Sequence, residues 1–284
     1  MKYVILGAGA IGCYVGGRLA ASDAEVALVG RPRILDPLAA SGLRVSDEDG
    51  FDQQVPAEQL HLSQTLSDAL LTLKVQSPKD FTILVCTKAT AVQGVAAEVQ
   101  ATSPNALLVS LQNGVDNVTR LRLAVPMATV LAGMVPFNVN WQGAGRVHKT
   151  TVGRLQIQRA SSSEAFATTF QEAGLPVDLH ADMQGVLWGK LLVNLFNPIN
   201  ALVNIPIREQ MLQRESRRVF AALQSEALDV LKAARIRPTK VLAAAPHLLP
   251  KIMRLPNWLF LRIVAKTLTT NPTARTSMCE DLQQ

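Results

Sequence analysis

The sequence predicts an α/β chain in which a doubly wound parallel sheet is followed by an all-helical segment. Three observations carry that prediction. Apolar strand patterns alternate with helix patterns from Tyr3 to about His180. The first strand runs directly into a glycine-rich turn and then a helix pattern. From Ala181 onward the strand signals stop, and helical periodicity continues alone. The domain boundary is therefore expected near His180, dividing the chain into residues 1–180 and 181–284.

Tyr3 to Leu6 is a short apolar strand, and Gly7-Ala8-Gly9-Ala10-Ile11-Gly12 follows at once with the spacing G-x-G-x-x-G. Each glycine has its own reason: Gly7 for a tight turn, Gly9 for close approach of a pyrophosphate, and Gly12 for helix-on-strand packing. The helix pattern from Cys13 to Ala21 would then offer its N-terminal N–H groups to the phosphates. Strand, glycine turn and helix in that order are the context that makes this a Rossmann-type dinucleotide-binding sheet. The next strand, Glu25 to Val29, ends in Gly30-Arg31-Pro32-Arg33. An NAD-preferring site would carry an acid here for the ribose hydroxyls. Arg31 instead suits a 2′-phosphate, so the position favours NADP over a plain surface arginine.

Gly42–Val45 and Gln54–Val55 suggest a small hairpin or extra strands around an Asp47–Asp52 turn, and a helix is expected near Leu66–Leu73. Phe81–Cys86 is a fully apolar strand of the kind buried in a parallel sheet. It ends in Thr87-Lys88-Ala89, at the strand end that faces a ligand crevice. Lys88 is thus either a solvated loop lysine or a cofactor or substrate contact. A helix over Val92–Val99 and a strand over Ala106–Leu111 lead to Gln112-Asn113-Gly114. Asn-Gly marks a turn, and the Asn113 amide at that edge can also serve a ribose or nicotinamide. Strands over Val130–Phe137 and Arg154–Gln158, a helix over Phe166–Ala173 and a strand over Val177–Leu179 complete a reading of β-α-β alternation throughout.

Composition narrows the function classes. The 284 residues are 48% hydrophobic, enough for a real core without disorder. No secretory signal is read at Met1-Lys2, and the apolar runs are expected to be too short for a bilayer, so a cytoplasmic protein is expected. Cys13, Cys86 and Cys279 show no metal or redox spacing and read as reduced thiols. The net charge of +6 sits largely on helical segments between Arg208 and Lys240, interspersed with acids and without interleaved aromatics. That pattern describes a solvated face rather than a nucleic-acid surface, and it welcomes anionic small molecules. Whether the chain pairs as a homodimer is left open.

The helical segment opens with Gly185–Leu202, in which Lys190, Asn194 and Asn197 fall on one face at i, i+4 and i+7. The surrounding residues are apolar, so the helix is expected to be largely buried, with a kink or break at Pro198. A lysine there is either a snorkelling stem or a group held for chemistry. Further helices are expected over Glu209–Ala234 and Trp258–Ala265.

Taken in order, GAGAIG, Gly30-Arg31, Cys86-Thr87-Lys88-Ala89, Gln112-Asn113-Gly114, WGKLLVN at 188–194 and Ser277-Met278 resemble the ketopantoate (2-dehydropantoate) reductase family over almost the full length. The resemblance implies NADP-dependent oxidoreductase chemistry, reducing a 2-oxo acid to a 2-hydroxy acid, in the named case ketopantoate to pantoate for pantothenate synthesis. It implies Lys190 as the catalytic lysine and general acid, Asn194 and Ser277 as substrate ligands, and Lys88 and Asn113 as residues beside cofactor and substrate. A second helix asparagine is expected, with Asn197 and Asn200 both candidates. It also implies a glutamate downstream of Ser277-Met278, which Glu280 and Asp281 precede too closely to supply. The chain ends at Gln284 before that position, so either a C-terminal truncation or a protein lacking part of its active site is expected. A reductase of another 2-oxo acid and a non-catalytic NADP-binding protein are the alternatives.

Overall fold

The computed structural model describes residues 1–241, 244–264 and 274–283. Two compact units divide the chain, Met1–Met183 and Gln184–Gln284. Ala265, at the end of the Trp258–Ala265 helix reading, lies outside the described residues.

The first unit begins with β1 (Lys2–Leu6), α1 (Ala10–Ala20), β2 (Glu25–Val29), α2 (Pro32–Ser41), β3 (Leu43–Asp47) and β4 (Asp52–Val55). It continues through β5 (His61–Ser63), α3 (Leu66–Thr72), β6 (Phe81–Val85), α4 (Val92–Thr102), β7 (Leu107–Ser110) and α5 (Asn117–Ala124). β8 (Thr129–Met134), β9 (Val139–Trp141), β10 (Arg146–Lys149), β11 (Leu155–Gln158), α6 (Ser161–Glu172) and β12 (Val177–His180) complete it. Eight strands form one sheet in the order β12-β11-β8-β7-β6-β1-β2-β5. The six from β8 to β5 are parallel to their neighbours. β1 and β6 are buried almost end to end, because helices cover both faces of such a sheet and leave no polar side.

Alternation throughout the unit does not hold. β11 runs antiparallel to β8, and a separate four-stranded sheet forms in the order β4-β3-β10-β9. The expected hairpin is its β3–β4 pair, but β10 joins β3 from a hundred residues away. The cause is the turn at Gly143-Ala144-Gly145, where three successive positive φ angles of 78°, 46° and 71° fold β9 back on β10. α2, β5, α5, β9 and β10 carry too little periodic signal to be read in advance. β5 and β9 have three residues each, and α2 contains Pro37.

A buried charge cluster ties the small sheet to α1. Arg18 Nη1 lies 2.8 Å from Asp47 Oδ2, its Nε donates to Ala173 O at 2.8 Å, and its guanidinium stacks 3.6 Å from the Phe51 ring centre. Burial alone would raise the Asp47 pKa. The Phe51 N–H, Lys149, the Tyr14 hydroxyl and Arg18 outweigh it and hold the carboxyl below its ordinary range.

The second unit takes up α7 (Met183–Asn194), α8 (Phe196–Val203), α9 (Ile207–Leu212), α10 (Arg214–Ala233), α11 (Leu249–Met253), α12 (Asn257–Val264) and α13 (Ser277–Gln283). The helix read over Glu209–Ala234 is two helices, parted where Gln213 turns extended. The helix read over Gly185–Leu202 is also two, and the break falls at Leu195 rather than Pro198. Pro198 sits in the first turn of α8, where its missing N–H costs nothing. The disruption is displaced into the preceding turn, whose carbonyls its ring would meet. The run Met183–Val203 is long and apolar enough to cross a bilayer by composition, which corrects the expectation that no run is. The break and the fully buried, hydrogen-bonded Asn200 belong to a packed helical unit rather than a lipid-facing span. Burial is also less complete than expected: Leu187, Trp188, Leu191 and Val193 are half-buried.

Arg217 is the unit's hub. Fully buried on α10, it donates from Nε to Met253 O, from Nη1 to Met211 O and Asn257 Oδ1, and from Nη2 to Leu255 O and Asn257 Oδ1. Its guanidinium also faces the Phe260 ring at 4.0 Å. One side chain thereby closes the ends of α9 and α11 and fixes the start of α12. Arg217→Met is expected to cost about 3 kcal/mol or more, because it strands several buried acceptors at once. Urea unfolding followed by the fluorescence of Trp188 and Trp258 measures this, and a loss below about 1 kcal/mol would contradict the assigned role.

Candidate active site

Four neighbouring strands, β7, β6, β1 and β2, end at the same edge of the large sheet because they run parallel. Gly7 leaves β1 with φ +109°, in the region that favours glycine, and a Cβ there would lie 2.7 Å from Thr87 N. The N–H groups of Gly7 and Ala8 both donate to Val29 O, at 3.0 and 2.9 Å. A Cβ on Gly12 would run into the Gly7 carbonyl oxygen, so α1 can start this close to β1 only with glycine there. Gly9 is different. Nothing lies within 4 Å of the position its Cβ would take. It caps α1 with no side-chain bond to the helix, and no acid occupies the first turn. Exposed N–H groups, a positive helix end and open space beside Gly9 fit a pyrophosphate.

The other first-unit candidates gather at the same edge. Gly30 is forced close, since its Cβ would lie 2.7 Å from the Ala8 Cβ, and this brings Arg31 next to the glycine turn. Arg31 and Arg33 are exposed at the start of α2. Lys88 is exposed just after Thr87, whose backbone abuts Gly7. Asn113 is exposed before Gly114, which has φ +113°, and its carbonyl accepts from Asn117 Nδ2 at 2.8 Å. Cys86 lies at this edge too, but burial pushes its thiol up to about 12, so it stays protonated and unreactive.

The second unit presents a separate group. Lys190 and Asn194 lie one turn apart on α7, half-buried, and Asn197 is half-buried on α8. Burial draws the Lys190 pKa below the ordinary lysine range. Ser277 is exposed as the first residue of α13. Thr276, directly before it, donates from its hydroxyl to Asn197 O at 3.4 Å, which brings Ser277 to the Asn197 end of the stripe. Asn200 behaves otherwise. It donates to Ile205 O at 2.9 Å and Gln210 Oε1 at 2.7 Å, and it accepts from Thr276 N at 3.0 Å. All of its faces are committed to packing α8 against the segment that leads into α13.

Two residues escaped the sequence reading. Gly189 lets Thr239 lie against α7, because a Cβ would collide with the Thr239 carbonyl, and Thr239 N donates to Gly185 O at 2.8 Å. The Gly185–Gly189 spacing of four was the available signal. Gln112 is buried behind Asn113, and only its place in a Gln-Asn-Gly run distinguished it.

Residues 3–162 match the family described as ketopantoate reductase PanE/ApbA, and residues 182–284 match its C-terminal part. A 2-dehydropantoate 2-reductase of Halobacterium salinarum is 27% identical over 261 residues, covering 86% of this chain and 82% of the relative. A PanE/ApbA family ketopantoate reductase solved from Ralstonia eutropha is 29% identical with a TM-score of 0.79, over all of this chain and 85% of that one. D-mandelate dehydrogenase, solved with NADH and anilino(oxo)acetate, shares the fold at 18% identity, with a TM-score of 0.75 over all of this chain and 85% of that one. Matched in both of its parts, the chain belongs to the ketopantoate reductase family of dinucleotide-dependent oxidoreductases.

Proposed function

We propose that the protein reduces a 2-oxo acid to the 2-hydroxy acid with NADPH, and that the substrate is 2-dehydropantoate, giving pantoate for pantothenate synthesis. The observation that carries this reading is Lys190, a half-buried ammonium in an apolar helix that forms no ion pair or hydrogen bond among the described residues. The names of the relatives support the substrate. Arg31 and Arg33 beside the glycine turn support the 2′-phosphorylated cofactor, since a guanidinium fork matches a phosphate and no acid stands there for a ribose diol.

When bound, the dinucleotide supplies the hydride. Lys190 stabilises the charge that develops on the ketone oxygen and delivers a proton to it. Its lowered pKa makes that proton easier to give than an ordinary lysine's. Asn194, Asn197 and Ser277 hydrogen-bond the substrate and fix its approach. The glycine turn, Arg31, Lys88 and Asn113 hold the cofactor, with Asn113 also reaching the substrate.

Four outcomes test the proposal. Wild-type protein should oxidise NADPH with 2-dehydropantoate in preference to other 2-oxo acids, and no oxidation with any of them would overturn the reading. Lys190→Ala should leave NADPH affinity within about twofold and lower kcat by about 100-fold or more. The acid must be protonated, so kcat/KM for reduction should fall as pH rises through the lowered Lys190 pKa, and the variant should lose that descending limb. Gly9→Ala should keep its melting temperature within about 2 °C while weakening NADPH binding about tenfold, whereas Gly12→Ala should lower the melting temperature. Equal melting curves for the two glycine variants would contradict their assigned roles.

A further inference from the structure

One buried amide ties together the strand ends that build the cofactor edge. Gln112 follows β7 and is 5% exposed. Its Nε2 donates to Thr87 Oγ1 at 3.1 Å, to Thr87 O at 3.2 Å and to Lys88 O at 3.3 Å. Its Oε1 accepts from Ser110 Oγ at 3.2 Å, which fixes which way the amide faces. The Thr87 backbone is in turn the surface against which Gly7 turns, 2.7 Å from where a Gly7 Cβ would stand. The loop after β6 is therefore held from one side by Gln112 and abuts the glycine turn on the other. The Lys88 carbonyl also accepts from Ala91 N at 2.9 Å, so the Gln112 bond lands on the residue that opens the short turn before α4.

From this geometry we infer that Gln112 is a positioning residue: its amide sets the Thr87-Lys88 backbone, and through it the place of Lys88, against the glycine turn. Resting on the NADPH reading of this edge, the inference makes Gln112 a determinant of cofactor affinity rather than of the proton transfer. A side-chain amide suits the task, because it offers two donors to a cluster of backbone and hydroxyl oxygens with no charge to desolvate. A carboxylate in its place would face three oxygens with nothing to donate.

Gln112→Met keeps the shape and removes the donors. Its KM and Kd for NADPH should rise about tenfold with kcat changed by less than about twofold, and amide hydrogen exchange over residues 87–91 should accelerate. Gln112→Glu should weaken binding at least as much. In a Lys88→Ala background, Gln112→Met should change affinity by less than about twofold, because the residue it acts through is gone. Unchanged affinity and exchange in Gln112→Met would overturn the inference, as would additive losses in the double variant. Should Gln112→Met fail to fold, Thr87→Val removes one acceptor and should raise Kd about threefold, with no change counting against the inference. Kd and exchange are measured without any 2-oxo acid, so failure of the substrate reading stays distinguishable from failure of this one.

Discussion

The first unit is organised by a single steric constraint: α1 must begin within contact distance of the strand it follows. A methyl group on Gly12 would strike the carbonyl of Gly7, and one on Gly7 would strike the backbone of the β6 loop. Those absences let three strand ends converge, and the convergence brings Gly30, Thr87 and Gln112 within reach of the same turn. The N-terminal end of α1 is left with open space at Gly9 rather than a capping side chain. A helix start with uncapped N–H groups leaves hydrogen-bonding capacity unused, and an anionic ligand is the group that uses it.

Each unit is closed by a buried guanidinium, with a different chemistry in each. Arg18 is half of an ion pair, its charge balanced by Asp47 and its plane covered by Phe51. Gly174, at φ +65°, passes where any side chain would collide with that guanidinium. Arg217 has no acid among its bonding partners and relies on carbonyl and amide oxygens, which occupy all five N–H positions. Burial, followed by the nearby Arg214, lowers its pKa. Arginine tolerates that because its rigid fork satisfies several helix ends without needing a countercharge.

What could be read from the sequence follows from what leaves a local trace. β1, β2, β6 and α1 were legible because buried parallel strands are uniformly apolar and the glycine spacing has a steric cause. The small sheet was half legible. Its hairpin is local, but the β3–β10 pairing spans about a hundred residues and leaves no pattern in either strand. The stripe of Lys190, Asn194 and Asn197 showed as polar residues at helical spacing. That spacing alone could not divide the asparagines between function and packing, and only the partners of Asn200 show it spent on the fold. Gln112 showed only as a member of the Gln-Asn-Gly run and its task did not, since a buried amide that bonds loop backbone is identical in sequence to an exposed one.

Lys190 and Arg217 make an instructive pair, because the second unit treats these two desolvated cations in opposite ways. Around Arg217 it gathers four acceptor atoms that take five hydrogen bonds; around Lys190, among the described residues, it gathers none. A lysine whose pKa is lower when folded binds fewer protons in the native state than in the unfolded chain. Stability therefore rises as pH climbs from the folded toward the unfolded pKa, and below that window the buried charge is a cost. A fold that can supply acceptors to one cation and leaves the other short is not limited by geometry. Among the described residues the three N–H donors of Lys190 meet no acceptor, a local inconsistency of the kind found at functional sites, and on the proposed reading a ketone oxygen gathering negative charge would complete it.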